Sequence, residues 1–145
     1  MNKYAGIWLD HRKAFLVYLI TGRDTFDEEP ESVERIESDV ERKVRLSGGS
    51  RSRKTPYGPQ EIAVDGKLED RIKRQLRQYY QGIIKKIEGA DRIYIFGPGE
   101  AKVELKKEIE KKKEFAGKIK KVESTDKMTQ RQIVAKVRTF FKPYL

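Results

Sequence analysis

The sequence has no cysteine, one histidine and no long apolar run. Without cysteine there is neither a disulfide framework nor a thiolate metal site, and one histidine excludes a multi-histidine metal site. No stretch of about 18 apolar residues offers a transmembrane helix. The first residues, MNKYAGIWLDHRK, lack the apolar core and small-residue cleavage site of a signal peptide. We therefore expect a cytoplasmic protein.

Positive charge is present in excess, with 33 Lys and Arg against 23 Asp and Glu among 145 residues. The excess is uneven: residues 1–41 carry 5 basic and 10 acidic side chains, and residues 42–145 carry 28 basic and 13 acidic. Such a field favours polyanions, above all nucleic acid, although a charged surface can also serve solubility alone. The acidic residues 24–41 leave a protein partner open as well.

Hydrophobic patterning predicts a single α/β domain over residues 1–145. Continuous apolar runs at residues 4–9 and 14–20 predict a β-hairpin covered on both faces, and a third strand is predicted over residues 40–46. A long helix over residues 68–87, a strand, a helix, a strand and a last helix follow. The order β-β-β-α-β-α-β-α predicts a mixed five-stranded sheet with helices on both faces, as in ribonuclease H-like domains.

The stretch RLSGGSRSRKTPYGPQ, residues 45–60, contains no acid and predicts a flexible basic loop over residues 47–60. Glycines allow close backbone approach, arginines fork onto phosphates, and the long helix adds basic side chains beside Tyr79 and Tyr80, which could stack on bases. A disordered insertion and a solvated helix face are the alternatives. The predicted nucleic-acid-binding residues are Arg45, Gly48, Gly49, Arg51, Arg53, Lys54, Arg74 and Arg77.

Two further places could carry chemistry. Asp10 ends the first strand and could hold magnesium with Glu100 or Asp126, since magnesium chemistry needs convergent carboxylates; a turn-forming role is the alternative. Beside it, His11 is either catalytic or a solvent-exposed turn residue. The backbone around Gly97 and Gly99 could bind an anion at a helix start or form a plain tight turn. No cofactor is predicted apart from magnesium under a nuclease function.

Three segments carry a resemblance to a known family: GIWLDHRKAFLVYL (residues 6–19), a Gly-Gly loop before a long basic helix, and IYIFGPGEAKVELKKEI (residues 93–109). In this order they resemble the central domain of eukaryotic and archaeal peptide-chain release factors and of Pelota, in the stand-alone form found among release-factor-like bacterial proteins. The resemblance implies a ribonuclease H-like fold and the ribosome, rRNA or tRNA as partner.

In release factors the loop carries a Gly-Gly-Gln tip that promotes peptidyl-tRNA hydrolysis. The matching residues here are Gly48, Gly49 and Ser50, and Gln60 lies too far along the loop to replace the missing glutamine. The resemblance therefore implies a translation-associated ribosome- or RNA-binding protein without peptide-release activity. The alternative is a hydrolase, acting on peptidyl-tRNA or as a magnesium-dependent nuclease that uses Asp10.

Overall fold

The computed structural model describes residues 2–20, 32–38, 40 and 58–144, with the backbone alone for Ser32 and residues 58–66. In this part of the chain there are five strands, three α-helices and two short 3₁₀ turns, at residues Lys113–Phe115 and Lys142–Tyr144. The strands are β1 (Lys3–Leu9), β2 (Lys13–Ile20), β3 (Ser32–Glu37), β4 (Arg92–Gly97) and β5 (Ile119–Ser124). The helices are α1 (Gly58–Lys86), α2 (Ala101–Glu110) and α3 (Gln130–Phe141).

The strands form one mixed sheet in the order β3-β2-β1-β4-β5. β1 pairs antiparallel with β2, and β2 with β3, whereas β4 runs parallel to β1 and β5 parallel to β4. A short polar link can join only antiparallel neighbours, while the parallel strands require the crossovers that α1 and α2 supply. The predicted α/β class and mixed five-stranded sheet are confirmed.

Both faces of the sheet are covered, as the continuous apolar runs predict. α1 and α2 pack on one face, with Ile83 and Leu105 fully buried, and α3 packs on the other, with Val137 fully buried. At Gly6 an added Cβ would lie 2.3 Å from a methyl carbon of Val137. Glycine in β1 therefore lets α3 approach the strand backbone directly.

The position of the third strand differs from the prediction. It lies at residues Ser32–Glu37; Val40 is outside it, and residues 41–46 fall outside the described part of the chain. The three-residue spacing of Val33 and Ile36 is also typical of a helix, but in a strand this spacing places the two side chains on opposite faces. Val33 packs against the core under α3, and Ile36 packs against the core under α1 and α2. The two-sided sheet is therefore what makes this segment a strand.

α1 begins earlier than its apolar periodicity indicates. It spans 29 residues, about 43 Å at the usual rise, and its first residues, 58–60, correct the end of the predicted basic loop. Its carboxyl end agrees with the prediction, since Gly89 follows it with φ of +85°. Among the described residues, no helix combines the length and the apolar character needed to cross a membrane.

Candidate nucleic-acid interface

The carboxyl ends of β1, β4 and β5 meet along one edge of the sheet, here called the carboxyl edge. The backbone N–H of Thr125 donates to the carbonyl of Gly97 at 3.1 Å, which joins the ends of β5 and β4. At Gly97, an added Cβ would lie 2.2 Å from the carbonyl oxygen of Leu9, at the end of β1. In open α/β sheets this is the edge at which ligands usually bind.

Two hydrogen bonds anchor α1 to this edge, and a third joins α2 to the β1–β2 turn. The Tyr79 hydroxyl donates to the carbonyl of Asp10 at 3.0 Å, and the Tyr80 hydroxyl donates to Glu104 Oε1 on α2 at 2.5 Å. The same carboxylate oxygen lies 3.1 Å from Nε2 of His11 in the β1–β2 turn. Burial is the first cause that raises the pKa of both tyrosines, and the bond to Glu104 adds to it for Tyr80. Both hydroxyls therefore stay protonated as donors.

These contacts correct one expectation about the aromatic residues. Tyr79 and Tyr80 are each only 4% exposed, in the core between α1 and the sheet. Stacking on a nucleic acid base needs an open ring face. The two tyrosines therefore hold α1 in place and present no surface for base stacking.

Beyond this anchor, α1 extends past the sheet. Leu68, Ile72 and Leu76 are all partly buried, and Leu76 packs against the core. α1 ends near the start of β4, and Tyr79 reaches Asp10 at the carboxyl edge, so residues 58–75 precede these contacts; we call them the projecting segment. The described side chains of this projecting segment are mostly exposed.

Five exposed cations of α1 share one side of the helix. Lys67, Arg71, Arg74 and Lys85 follow the i, i+4, i+7, i+18 spacing of one helix face, with Arg77 next to Arg74. All are exposed, and Lys67, Arg74, Arg77 and Lys85 have no ion-pair partner among the described residues. We call these five residues the basic face. The predicted residues Arg74 and Arg77 are thus brought together on it.

The remaining predicted nucleic-acid-binding residues lie outside the described part of the chain. They are Arg45, Gly48, Gly49, Arg51, Arg53 and Lys54. In the sequence they stand between Val40, which follows β3 near the carboxyl edge, and Gly58, the first residue of the projecting helix. Their role stays a prediction.

Asp10 takes the turn-forming role of the two considered. Its Oδ1 accepts hydrogen bonds from the backbone N–H groups of Arg12 and Lys13, at 2.7 and 2.8 Å. This pattern is typical of an aspartate that stabilises a turn. No group of three or more His, Cys, Asp or Glu side chains that could hold a metal ion occurs in the described residues. Magnesium binding by Asp10 with Glu100 or Asp126 stays a prediction.

The turn from β4 to α2 is built by its glycines. Gly97 and Gly99 have φ of +147° and +67°, and the first is needed for the close approach to Leu9 described above. The ammonium of Lys102, a buried residue, donates to the carbonyl of Gly99. These contacts give the turn a packing role, and anion binding at Gly97 and Gly99 stays a prediction.

Two features of this region gave no signal in the sequence. The bond between Tyr80 and Glu104 joins two helices, and the burial of Lys102 depends on the turn that precedes it. Both arise from contacts that form only after the sheet has assembled. In the sequence, Lys102 and Glu104 belong to a helix rich in lysine and glutamate, and side chains of these two types are usually exposed.

Comparison with known proteins gives likenesses of fold. No protein-family model matches the chain, and no curated protein is similar to it. A Ppx/GppA phosphatase of Aquifex aeolicus matches at 12% identity and a TM-score of 0.38, covering 87% of this chain and 36% of the phosphatase. The PilM–PilN type IV pilus biogenesis complex matches at 14% identity and a TM-score of 0.41, covering 96% of this chain and 43% of the matched chain. The archaeal translation termination factor aRF1 matches at 12% identity and a TM-score of 0.38, covering 99% of this chain and 40% of the factor. The chain thus spans about two fifths of these structures.

Proposed function

We propose that this domain binds RNA through the basic face of α1 and the basic residues that precede the helix. The observation that supports the proposal best is the projecting segment, on which Lys67, Arg74 and Arg77 are exposed without an ion-pair partner among the described residues. Exposed cations on one side of a helix complement a phosphate backbone, because each contact releases condensed counterions.

The charge distribution along the chain favours the same interpretation. The segment directly before α1 adds Arg51, Arg53 and Lys54, and residues 42–145 together carry 28 basic and 13 acidic side chains. The sequence resemblance to the release-factor central domain directs the proposal to rRNA and tRNA. We therefore propose a cytoplasmic, translation-associated protein with the ribosome as its partner.

The proposed function does not include peptide release. The tip position carries Gly48, Gly49 and Ser50 without the glutamine, and a serine hydroxyl is too short to reproduce the position of a glutamine amide. Among the described residues nothing favours the hydrolase alternative, since Asp10 stabilises a turn. The assay for this alternative measures hydrolysis of labelled RNA and of peptidyl-tRNA by the wild-type protein, with and without magnesium. If the wild-type protein hydrolyses either substrate and Asp10→Asn abolishes the activity, this part of the proposal is wrong.

Ribosome co-sedimentation tests the proposed function. We expect the wild-type protein to pellet with ribosomes at about 50 mM salt and to be largely released at about 200 mM. The triple variant R51A/R53A/K54A and the double variant R74A/R77A should each release at lower salt. The control K107A/R131A removes two exposed cations from α2 and α3 and should behave as wild type. If the wild-type protein stays in the supernatant at the lower salt concentration, the proposed function is wrong.

A further inference from the structure

A groove of about 310 Å³ lies between the last turns of α1 and the segment that follows α2. Two elements distant in sequence form its walls. Its lining residues are Gln81, Ile84, Lys85, Glu88, Lys112, Glu114 and Phe115. The volume is near the lower end of the range of about 300–1,000 Å³ that is usual for small-molecule sites.

The chemistry of the groove is mixed. Ile84 and Phe115 lie at the base of the groove, but only 2% and 3% of their surfaces are exposed. Each wall contributes one ammonium and one carboxylate: Lys85 of α1 with Glu88 of the turn after it, and Lys112 with Glu114 on the opposite wall. Among the described residues none of these four charged groups has an ion-pair partner. Hydrogen-bond donors and acceptors therefore make up most of the surface that the groove presents.

The groove is continuous with the basic face, since Lys85 belongs to both. Lys67 and Lys85 are separated by about 27 Å along the helix, on the same side of α1. A chain of phosphates that follows this side in the carboxyl direction reaches the groove at Lys85. On the far wall, Lys112 is followed by Lys113, an exposed cation.

We propose, resting on the RNA-binding function above, that this groove accepts one unpaired nucleotide of a single-stranded RNA whose backbone follows the basic face. The nucleobase lies in the groove between the two walls and makes mainly polar contacts, because Ile84 and Phe115 at its base are almost fully covered. The Lys85 and Lys112 ammonium groups donate to phosphate oxygens, and the Glu88 and Glu114 carboxylates accept from exocyclic amino or 2′-hydroxyl groups. Unpaired bases can be splayed out of the strand in this way, whereas a base pair cannot enter a groove of this size.

A charge-neutral double variant isolates the groove from general electrostatics. K112A/E114A removes one cation and one anion, so net charge and long-range attraction are unchanged. The matched control K107A/E110A also removes one of each, from the exposed side of α2. Binding is measured by fluorescence anisotropy with a short labelled RNA strand and with the same strand annealed to its complement.

We expect K112A/E114A to bind the single strand about tenfold more weakly than wild type, since it loses charge-assisted hydrogen bonds. Its affinity for the duplex should be unchanged, and the control should match wild type for both. If the variant binds the single strand within about twofold of wild type, or loses as much affinity for the duplex, the inference is wrong. If wild type binds neither RNA, the proposed function itself fails, so the two failures are distinguishable.

Photo-crosslinking of the wild-type protein tests the same inference without any substitution. A single-stranded RNA that carries 4-thiouridine should crosslink to peptides containing the groove residues, and mass spectrometry locates the attachment sites. Crosslinks at Lys112–Phe115 support the inference. Crosslinks confined to the basic face, with none on either wall of the groove, overturn it.

Discussion

Replacing Arg74 and Arg77 by alanine should weaken RNA binding strongly while leaving the fold intact. Both side chains are exposed on the projecting part of α1 and have no ion-pair partner among the described residues. Alanine has the highest helix propensity, so the substitutions do not disfavour the helix. Any loss of binding therefore reports on phosphate contacts.

The size of the effect follows from counterion release. Each phosphate contact adds about 0.7 to the slope of log K against log salt for a single strand. Two lost contacts flatten the slope by about 1.4, which corresponds to about 25-fold weaker binding at about 0.1 M salt relative to a 1 M reference. The effect should shrink steadily as salt is raised.

Anisotropy titrations of a labelled RNA strand between about 50 and 400 mM salt measure this slope. The control K107A/R131A also removes two exposed cations and so separates a local contact from net charge. Circular dichroism checks that α1 is retained. A slope for R74A/R77A equal to that of wild type, or an equal loss in the control, would refute the role of the basic face.

Three further predictions concern the scaffold that holds α1. Gly97→Ala should lower the free energy of unfolding by more than about 2 kcal/mol in urea denaturation, because a Cβ would lie 2.2 Å from the carbonyl oxygen of Leu9 at φ of +147°; a wild-type midpoint would contradict this. Thr129→Ala should cost about 1 kcal/mol, because the side chain accepts from the N3 backbone N–H in a capping box; an unchanged melting temperature would contradict it. The hydrogen bond from Tyr94 lowers the pKa of Glu123 in the folded state, so its stabilisation is present above the unfolded value of 4.5 and is lost as pH falls through the folded pKa. Tyr94→Phe should therefore reduce the loss of stability in acid, and an unchanged pH profile would argue against this pair.

Local signals predicted much of the fold. The continuous apolar runs of β1 and β2 identified two-sided burial. The spacing of Thr129 and Gln132 in the sequence is typical of a capping box, and α3 begins there with both of its hydrogen bonds formed. The spacing of Val33 and Ile36 was misleading, because their faces are decided by two separate cores. The apolar periodicity did not indicate that α1 begins at Gly58. Apolar residues recur at helical spacing only where a helix packs against the core, and the first part of α1 precedes that contact.

The candidate site was predictable only where charge alone defines it. Arg74 and Arg77 could be chosen from the sequence because exposed cations need no tertiary partner to define them. Tyr79 and Tyr80 looked like stacking residues, but the sheet buries both and their hydroxyls hold α1 at the carboxyl edge. The groove at Lys112 depends on two elements meeting, so the sequence gave no sign of it.

A cryo-EM map of ribosomes recovered with this protein at low salt is the most direct measurement of the central claim. We predict that the basic face of α1, from Lys67 to Lys85, lies against the phosphate backbone of rRNA or tRNA. A map in which this side of the helix faces solvent or ribosomal protein, or a preparation in which the protein is absent from the ribosomes, would contradict the account.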